Sequence, residues 1–532
     1  MNSLAVLYGG RLFPAAFEKV FDGKSALELA VERVRLFPGT GKVVFLGTEG
    51  MVPSGLPGDV TVVSQPAWTR KKLLETLSAL GAGFDLTFFA WADCPFLDPV
   101  LAAAIAERHL KYAAEYSYAD GWPYGFAPEI LSPGTAGILA KIAGEDESPV
   151  ERDSLFAVLQ KDINAFDIET EISCLDLRSH RLSLSADSGR NLLLLTRFAQ
   201  AAAGGGAGDT GTASPIPAAA DAAGIIASKP EILRTLPNFY PIQVSGACPQ
   251  SCAICPYPQF VGDGPGGFMD PHQFESLLEK IIAFSGDAVI DLSLWGEISL
   301  HPRRLELVRL VLERPELSLI IETSGVGWKN GDLEAIAGFA AAAGAANRQS
   351  PLPPLSWIVS LDTADPQRYR EIRGPGFAEA VDCAKKLLAL FPKDAYVQAV
   401  RTAGAEDDIE KFYRSWKEAA PHGAANIIIQ KYDDFCGALP RKQASDLSPV
   451  QRQPCWHLMR DLPVLLNGTV PLCREDLSVG RRILGNAFGD SLETIWERGA
   501  KFYEEQCMKA GAGGPKYSDS CAGCDEYYTY NF

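Results

Sequence analysis

Between residues 233 and 435 the chain alternates short apolar runs, rich in β-branched residues, with segments of helical spacing. The runs fall at Tyr240–Val244, Ala288–Leu294, Leu317–Ile321, Leu355–Leu361, Tyr396–Val400 and Asn426–Ile429. The helical segments lie near His272–Phe284, Arg303–Glu313, Asp332–Ala343, Phe377–Phe391 and Asp407–Ala419. Strands separated by helices pair in parallel through right-handed crossovers. The pattern predicts a curled (β/α)6 sheet, a partial TIM-like barrel, with ligands at the carboxyl ends of its strands.

On either side the pattern changes. Residues 1–199 read as a separate α/β domain, with strands at Leu4–Leu7, Lys42–Gly47 and Leu86–Trp91 and helices at Ser25–Leu36 and Leu97–Tyr116. Ala201–Ala227 is dominated by Ala and Gly and buries too little apolar surface to hold a fold, so 200–232 reads as a flexible linker. From Cys436 to the end, cysteines, glycines and short strands replace the alternation, giving a third, small domain at 436–532. The fold class is α/β throughout.

Composition narrows the function. The 532 residues allow about three domains at the usual ~100–200 residues each, and 47% hydrophobic residues give each a core. The net charge of −17 excludes general nucleic-acid binding and docking on an anionic membrane. There is no apolar run of membrane-spanning length, about 18 residues, and no basic leader followed by an apolar core, so a soluble, cytoplasmic protein is expected. In a reducing compartment the 12 cysteines point to metal or redox chemistry rather than disulfides.

Three of those cysteines, Cys248, Cys252 and Cys255, sit in one loop after the first barrel strand with the spacing Cys-x3-Cys-x2-Cys. Three thiolates can hold three irons of a [4Fe–4S] cluster and leave the fourth open, which is what a catalytic metal needs. Further on, Cys455 and Cys473 flank the turn signal Asn467-Gly468 between Val464–Leu466 and Val470–Leu472, and a hairpin there brings the two together. With Cys521-Ala522-Gly523-Cys524 they form a four-thiol set that suits either zinc or a fully ligated [4Fe–4S] cluster, and spacing does not choose between them. Cys507 is unassigned.

These motifs resemble the radical S-adenosylmethionine superfamily. The resemblance implies an enzyme whose open iron binds the methionine group of S-adenosylmethionine and whose reduced cluster cleaves it to a 5′-deoxyadenosyl radical. It implies an electron donor such as flavodoxin or ferredoxin and a small-molecule or peptide substrate. Leu294-Trp295-Gly296-Glu297 is similar to the superfamily's Gly-Gly-Glu segment, with Trp for the first Gly, which assigns Gly296 and Glu297 to the methionine amine. Leu300-His301-Pro302 follows as it often does there. Ile254 stands where an aromatic residue is common. Thr323, in Glu322-Thr323-Ser324-Gly325, matches a Thr-Asn-Gly strand end; Ser360 is implied at the ribose, with Asp362 nearby, and Arg373 at a substrate or carboxylate.

The carboxy-terminal spacing, Cys-x12-Gly-x4-Cys, resembles the SPASM auxiliary-cluster domain, as do Asp476, Leu484-Gly485-Asn486, Ser491-Leu492 and Ile495-Trp496. Only one later pair is present, so the match is to the shortened, single-cluster, twitch-like form, with Cys455, Cys473, Cys521 and Cys524 holding a second [4Fe–4S] cluster. The domain order resembles the spiro-SPASM proteins, in which a cytidylyltransferase-like region precedes the radical core. Here the loop Tyr8-Gly9-Gly10-Arg11-Leu12 is short, with Lys19 and Lys24 downstream; Asp93 matches a metal-holding aspartate, and the domain reads as degenerate.

Two other functions fit parts of the pattern. One is a sugar nucleotidyltransferase with a redox-sensing iron–sulfur half; the other is a non-catalytic iron–sulfur or zinc module. No catalytic side chain is assigned from the sequence, although Asp433-Asp434 after the sixth strand are cleft candidates. The substrate, a peptide or a nucleotide-linked sugar or cyclitol, is not named by the residues.

Overall fold

The computed structural model describes residues 1–203, 216–257, 266–345, 352–450, 452–475, 482–508 and 514–529. It divides into two compact units, Met1–Leu233 and Arg234–Phe532. Among the described residues no helix is long and apolar enough to cross a membrane.

The first unit is built on a seven-stranded mixed sheet: β1 (Ser3–Gly9), β2 (Thr40–Thr48), β3 (Val60–Gln65), β4 (Leu86–Trp91), β5 (Tyr116–Asp120), β6 (Glu129–Leu131) and β7 (Ile168–Ile172), in the order β3-β2-β1-β4-β6-β5-β7. β1 is buried along its whole length because parallel strands flank it on both sides. The helix expected to run to Tyr116 ends earlier, as Pro99–Lys111: Ala113 adopts φ +52°, and the chain turns back into β5. The linker expectation also needs correcting. Residues 200–203 complete the helix Gly189–Ala203, and 204–215 lie outside the described residues. Beyond them Ala222–Ser228 is helical, because Ile225 and Ile226 supply an apolar face that is buried.

The second unit carries the barrel. Its strands are β8 (Phe239–Pro241), β9 (Ala288–Asp291), β10 (Leu317–Thr323), β11 (Leu355–Ser360), β12 (Ala395–Arg401) and β13 (Ile427–Lys431). They form one sheet in sequential order with every neighbour parallel, the partial (β/α)6 TIM-like barrel that the alternation predicts. The two-residue period divides the faces. Tyr240, Ile290, Leu319, Ile321, Trp357, Val359 and Val397 join the core against the helices, whereas Phe239, Ile320 and Ile358 form a small inner layer.

The hairpin expected around Asn467-Gly468 is not made as predicted. The turn exists, with Leu465 N donating to Thr469 O at 2.8 Å, but its two arms go to different partners. Val464 donates to Pro241 O at 2.8 Å and accepts from Gln243 N at 2.9 Å, so the first arm covers the open edge of β8. The second arm, β14 (Thr469–Pro471), pairs antiparallel with β15 (Ile483–Asn486). The carboxy-terminal segment is thus sewn into the barrel's first edge. Arg234 reinforces the join, donating to Leu458 O and Trp496 O and stacking 3.5 Å over the Trp496 ring.

Candidate active site

Polar residues gather where the apolar strands stop. Asp291 closes β9 and Ser293 follows it, Glu322 and Thr323 close β10, Ser360 closes β11, Gln398 lies in β12 and Lys431 ends β13; all of them line one cavity of about 450 Å3. Phe239, Ile320 and Ile358, the inner apolar layer, also line it. Cys248, Cys252 and Cys255 line the same cavity, along with Ile254, Gly296, Glu297 and Arg373.

The cysteine loop is held from two sides. Glu297 N donates to Ala247 O at 2.8 Å, and Gly246 N donates to Gly267 O at 2.8 Å. Opposite, Ser251 N and Ala253 N donate to the carbonyls of Arg373 and Ile372, where the helix Pro366–Ile372 ends. Gly296 makes the first contact possible: at φ +88°, a Cβ there would stand 2.1 Å from Ser245 O. Its neighbour Trp295 holds φ +45° without being glycine, packing coplanar with Tyr257 at 6.0 Å and against Phe435 at 5.5 Å.

Glu297 is buried with both carboxylate oxygens fixed. Oε1 accepts from Thr323 Oγ1 at 2.7 Å and Oε2 from Ser324 N at 2.8 Å. Burial raises its pKa, and these hydrogen bonds oppose the rise. Ser360 Oγ donates to Glu322 Oε1 at 2.5 Å, and Gln398 Nε2 donates to the same oxygen at 2.8 Å. Glu322 and Gln398 therefore belong to the site, though the sequence reading did not single them out; the signal was a polar side chain at an inward position of an otherwise apolar strand. Asp362 does not reach the cavity. Its carboxylate accepts from Arg373 Nε at 2.5 Å and Val400 N at 2.8 Å, making it the anchor of Arg373, whose Nη1 lies 3.9 Å from Cys252 Sγ. His301 is also a support: Nε2 pairs with Met269 O at 3.0 Å and Nδ1 accepts from Arg303 N.

The chemistry of this donor set suits an iron–sulfur cluster with a ligand on its open corner. Three cysteines, and no fourth, line the cavity among the described residues. Burial lifts Cys255 to about 11, so this thiol stays protonated until a cationic core displaces the proton. Gln250 is a further candidate that the sequence did not reveal. It lines the cavity and is buried, and its Oε1 has no protein partner, while Nε2 donates to Pro375 O at 2.7 Å. An orphaned acceptor of that kind is an invitation to a bound donor.

A second group of thiols assembles in the carboxy-terminal segment. Cys455 faces Cys524 and Cys521, and Cys473 faces Cys455 and Cys524. Backbone donors point at two of the sulfurs, Glu475 N at Cys473 and Glu526 N at Cys524. Among the described residues no three of these thiols lie within 4.8 Å of one another. Four thiols of this kind can close a tetrahedral zinc site or ligate a [4Fe–4S] cluster fully. Cys507 contacts Tyr503 instead. Asp433 lines the main cavity, while Asp434 accepts from Gly437 N at 2.9 Å and caps a turn. Asp476 lies outside the described residues.

In the first unit Asp93 is 2% exposed and paired two-to-two with Arg152, Nη1 to Oδ1 at 2.9 Å and Nη2 to Oδ2 at 2.6 Å. The guanidinium also reaches Asp187 at 3.0 Å and stacks 4.4 Å over Trp91. An arginine thus occupies the face of the carboxylate expected to meet a metal.

A family model described as the radical SAM superfamily matches residues 242–413. An uncharacterized protein of Treponema pallidum (strain Nichols) is 34% identical over 389 residues, covering 71% of this chain and 98% of that relative. Among solved structures, Streptococcus suis SuiB bound to precursor peptide SuiA matches 54% of this chain and 72% of its own, at 15% identity and TM-score 0.38. A cytidylyltransferase from Leptospira borgpetersenii serovar Hardjo-bovis (strain JB197) matches 43% of this chain and 95% of its own, at 16% identity and TM-score 0.34.

Proposed function

The chain belongs to the radical SAM superfamily, an enzyme family whose cofactors are a [4Fe–4S] cluster and S-adenosylmethionine, and from that premise we propose how its residues divide the work. Cys248, Cys252 and Cys255 hold the cluster. Gly296 and Glu297 receive the methionine amine, Thr323 and Ser324 fix the Glu297 carboxylate, and Ser360, backed by Glu322 and Gln398, receives the ribose. Asp362 positions Arg373 against the cluster sulfur. When bound and reduced, the cluster supplies one electron that splits the sulfonium into methionine and a 5′-deoxyadenosyl radical, which takes a hydrogen atom from a substrate C–H bond.

The observation that carries this reading is the meeting of three thiols and a buried, doubly hydrogen-bonded carboxylate on one cavity at the strand ends. The strand ends of β12 and β13, with Gln430 and Lys431, leave room for the substrate, a peptide or a nucleotide-linked sugar or cyclitol. The carboxy-terminal thiols Cys455, Cys473, Cys521 and Cys524 hold a second, electron-transferring [4Fe–4S] cluster, and a flavodoxin or ferredoxin feeds the first. The Arg152 pair on Asp93 supports a binding or structural role for the first unit over nucleotidyl transfer.

The test is anaerobic. Reconstituted protein with dithionite and S-adenosylmethionine is expected to release 5′-deoxyadenosine and methionine, and Cys252→Ala to release neither. Equal release from both proteins, or none from the wild type with its iron in place, overturns the proposal.

A further inference from the structure

The last barrel strand leads into a turn with three consecutive left-handed residues, Phe435 at φ +52°, Cys436 at φ +57° and Gly437 at φ +84°. Only the third is glycine, and a non-glycine residue rarely adopts this conformation, still less two in a row. The turn is firmly made. Phe435 N donates to Asp433 Oδ1 at 2.7 Å, Gly437 N to Asp434 Oδ1 at 2.9 Å, and Leu439 N to Asp434 O at 2.9 Å. Its two strained side chains diverge. The Phe435 ring packs on Trp295 in the cavity wall, and the Cys436 thiol contacts Cys524 and faces Cys473.

That places a fifth thiol among the four carboxy-terminal cysteines. Cys436 contacts Cys524 and faces Cys473, and each of those two sulfurs accepts a backbone N–H bond, the arrangement that steadies a metal-bound thiolate. Cys521 has a looser claim. It faces Cys455, but it lines a second, smaller cavity of about 160 Å3 with Arg482, Lys516 and Tyr517.

We propose that Cys436 is a ligand of the carboxy-terminal iron–sulfur centre, completing the set Cys436, Cys455, Cys473 and Cys524, with Cys521 outside it. This rests on the reading of those thiols as a second cluster site, and it revises which four bind. It also gives the strained turn a purpose: one residue reaches the substrate cavity while the next reaches the second centre, joining the two by a single peptide unit.

The experiment uses the full chain with Cys248, Cys252 and Cys255 replaced by Ala, so that iron reports on the second centre alone. After anaerobic reconstitution with ferrous iron and sulfide, this background is expected to hold about four irons and to show a cluster signal by electron paramagnetic resonance when reduced. Adding Cys436→Ala removes most of the iron; adding Cys521→Ala leaves it. Cys436→Ser, which keeps the size of the side chain in the turn, retains a cluster with shifted g values, a readout that separates ligation from folding. Full iron with an unchanged spectrum in both Cys436 variants overturns the assignment. A background that binds no iron overturns the second centre itself, and the Cys436 assignment with it, and is distinguishable from iron that survives the substitution.

Discussion

Arg373 Nη1 lies 3.9 Å from Cys252 Sγ, while Nε of the same guanidinium donates to Asp362 Oδ2 at 2.5 Å. Arg373 is 9% exposed and Asp362 3%, so the pair works in a medium where charge is weakly screened. The backbone of Arg373 also accepts from Ser251, so one residue fixes the cysteine loop and sets a positive charge on its sulfur side. Reduction adds negative charge to the cluster, and this cation favours it. Arg373→Met is expected to move the midpoint potential of the first cluster negative by roughly 50 mV, the part of a close charge's effect left after Asp362 offsets it. A redox titration followed by electron paramagnetic resonance reads the shift, and an unmoved midpoint removes the electrostatic role.

Gly296 offers a steric test. A Cβ would stand 2.1 Å from Ser245 O and 3.2 Å from Ala247 O, both backbone atoms that cannot swing aside, at a φ of +88°. Gly296→Ala is expected to cost about 2–4 kcal/mol and to push the cysteine loop off Glu297. Iron content at the first site should fall with it. Wild-type iron and an unchanged melting temperature would show that the loop tolerates displacement.

The second unit was legible because each barrel strand is an apolar run bounded by turns, and because three thiols in one loop leave few alternatives. What the sequence hid has physical reasons. β3 is an edge strand with only one of its six residues buried and Thr61 interrupting its valines, and β5 follows a helix with only a left-handed Ala113 to mark the break. The turn at Asn467-Gly468 was read correctly, but turn chemistry says nothing of which edge each arm will find; Val464 found β8. Glu322 and Gln398 are single polar residues in apolar strands, visible as interruptions only once the inward face is known. Asp362 carried a plausible motif position yet serves behind Arg373 rather than in the cavity.

Glu297 separates binding from assembly. Its carboxylate is positioned by Thr323 and Ser324, and a bound ammonium would complete its shell with charge-assisted hydrogen bonds. Glu297→Gln keeps the size and one acceptor but loses the charge. Iron should load normally, while the dissociation constant for S-adenosylmethionine rises ~10–100-fold, the value of one such bond at about 1.5–3 kcal/mol. Equilibrium binding to the oxidised, iron-loaded protein measures it. Unaltered affinity would place the amine elsewhere.

Arg152 decides what the first unit can do. It neutralises Asp93 and Asp187 and stacks on Trp91, and Asp93 is almost wholly buried. Wild-type protein with CTP and magnesium is expected to release no pyrophosphate. Arg152→Met leaves two carboxylates facing each other without their cation and should cost about 3 kcal/mol in unfolding experiments. Pyrophosphate release by the wild type would restore nucleotidyl transfer as an activity of this unit.

Glu129 gives the first unit a pH signature of its own. It lies in β6, between β4 and β5, and its Oε2 accepts from Tyr116 Oη at 2.8 Å. Burial lifts its pKa from 4.5 to about 7; the tyrosine hydrogen bond opposes that rise and nearby Asp153 adds to it. A raised carboxyl binds its proton more tightly in the folded chain than in the unfolded one. Its contribution to stability is therefore complete below about pH 4.5 and lost as pH rises through about 7. Glu129→Gln keeps a neutral partner for Tyr116 at every pH. Compared with the wild type, the variant should be equally stable at pH 4 and more stable at pH 8 by roughly 2 kcal/mol, a discounted conversion of the shift. Urea titrations of the full chain at the two pH values give the difference of differences. A variant that tracks the wild type at both pH values would mean that Glu129 ionises as readily in the sheet as in water.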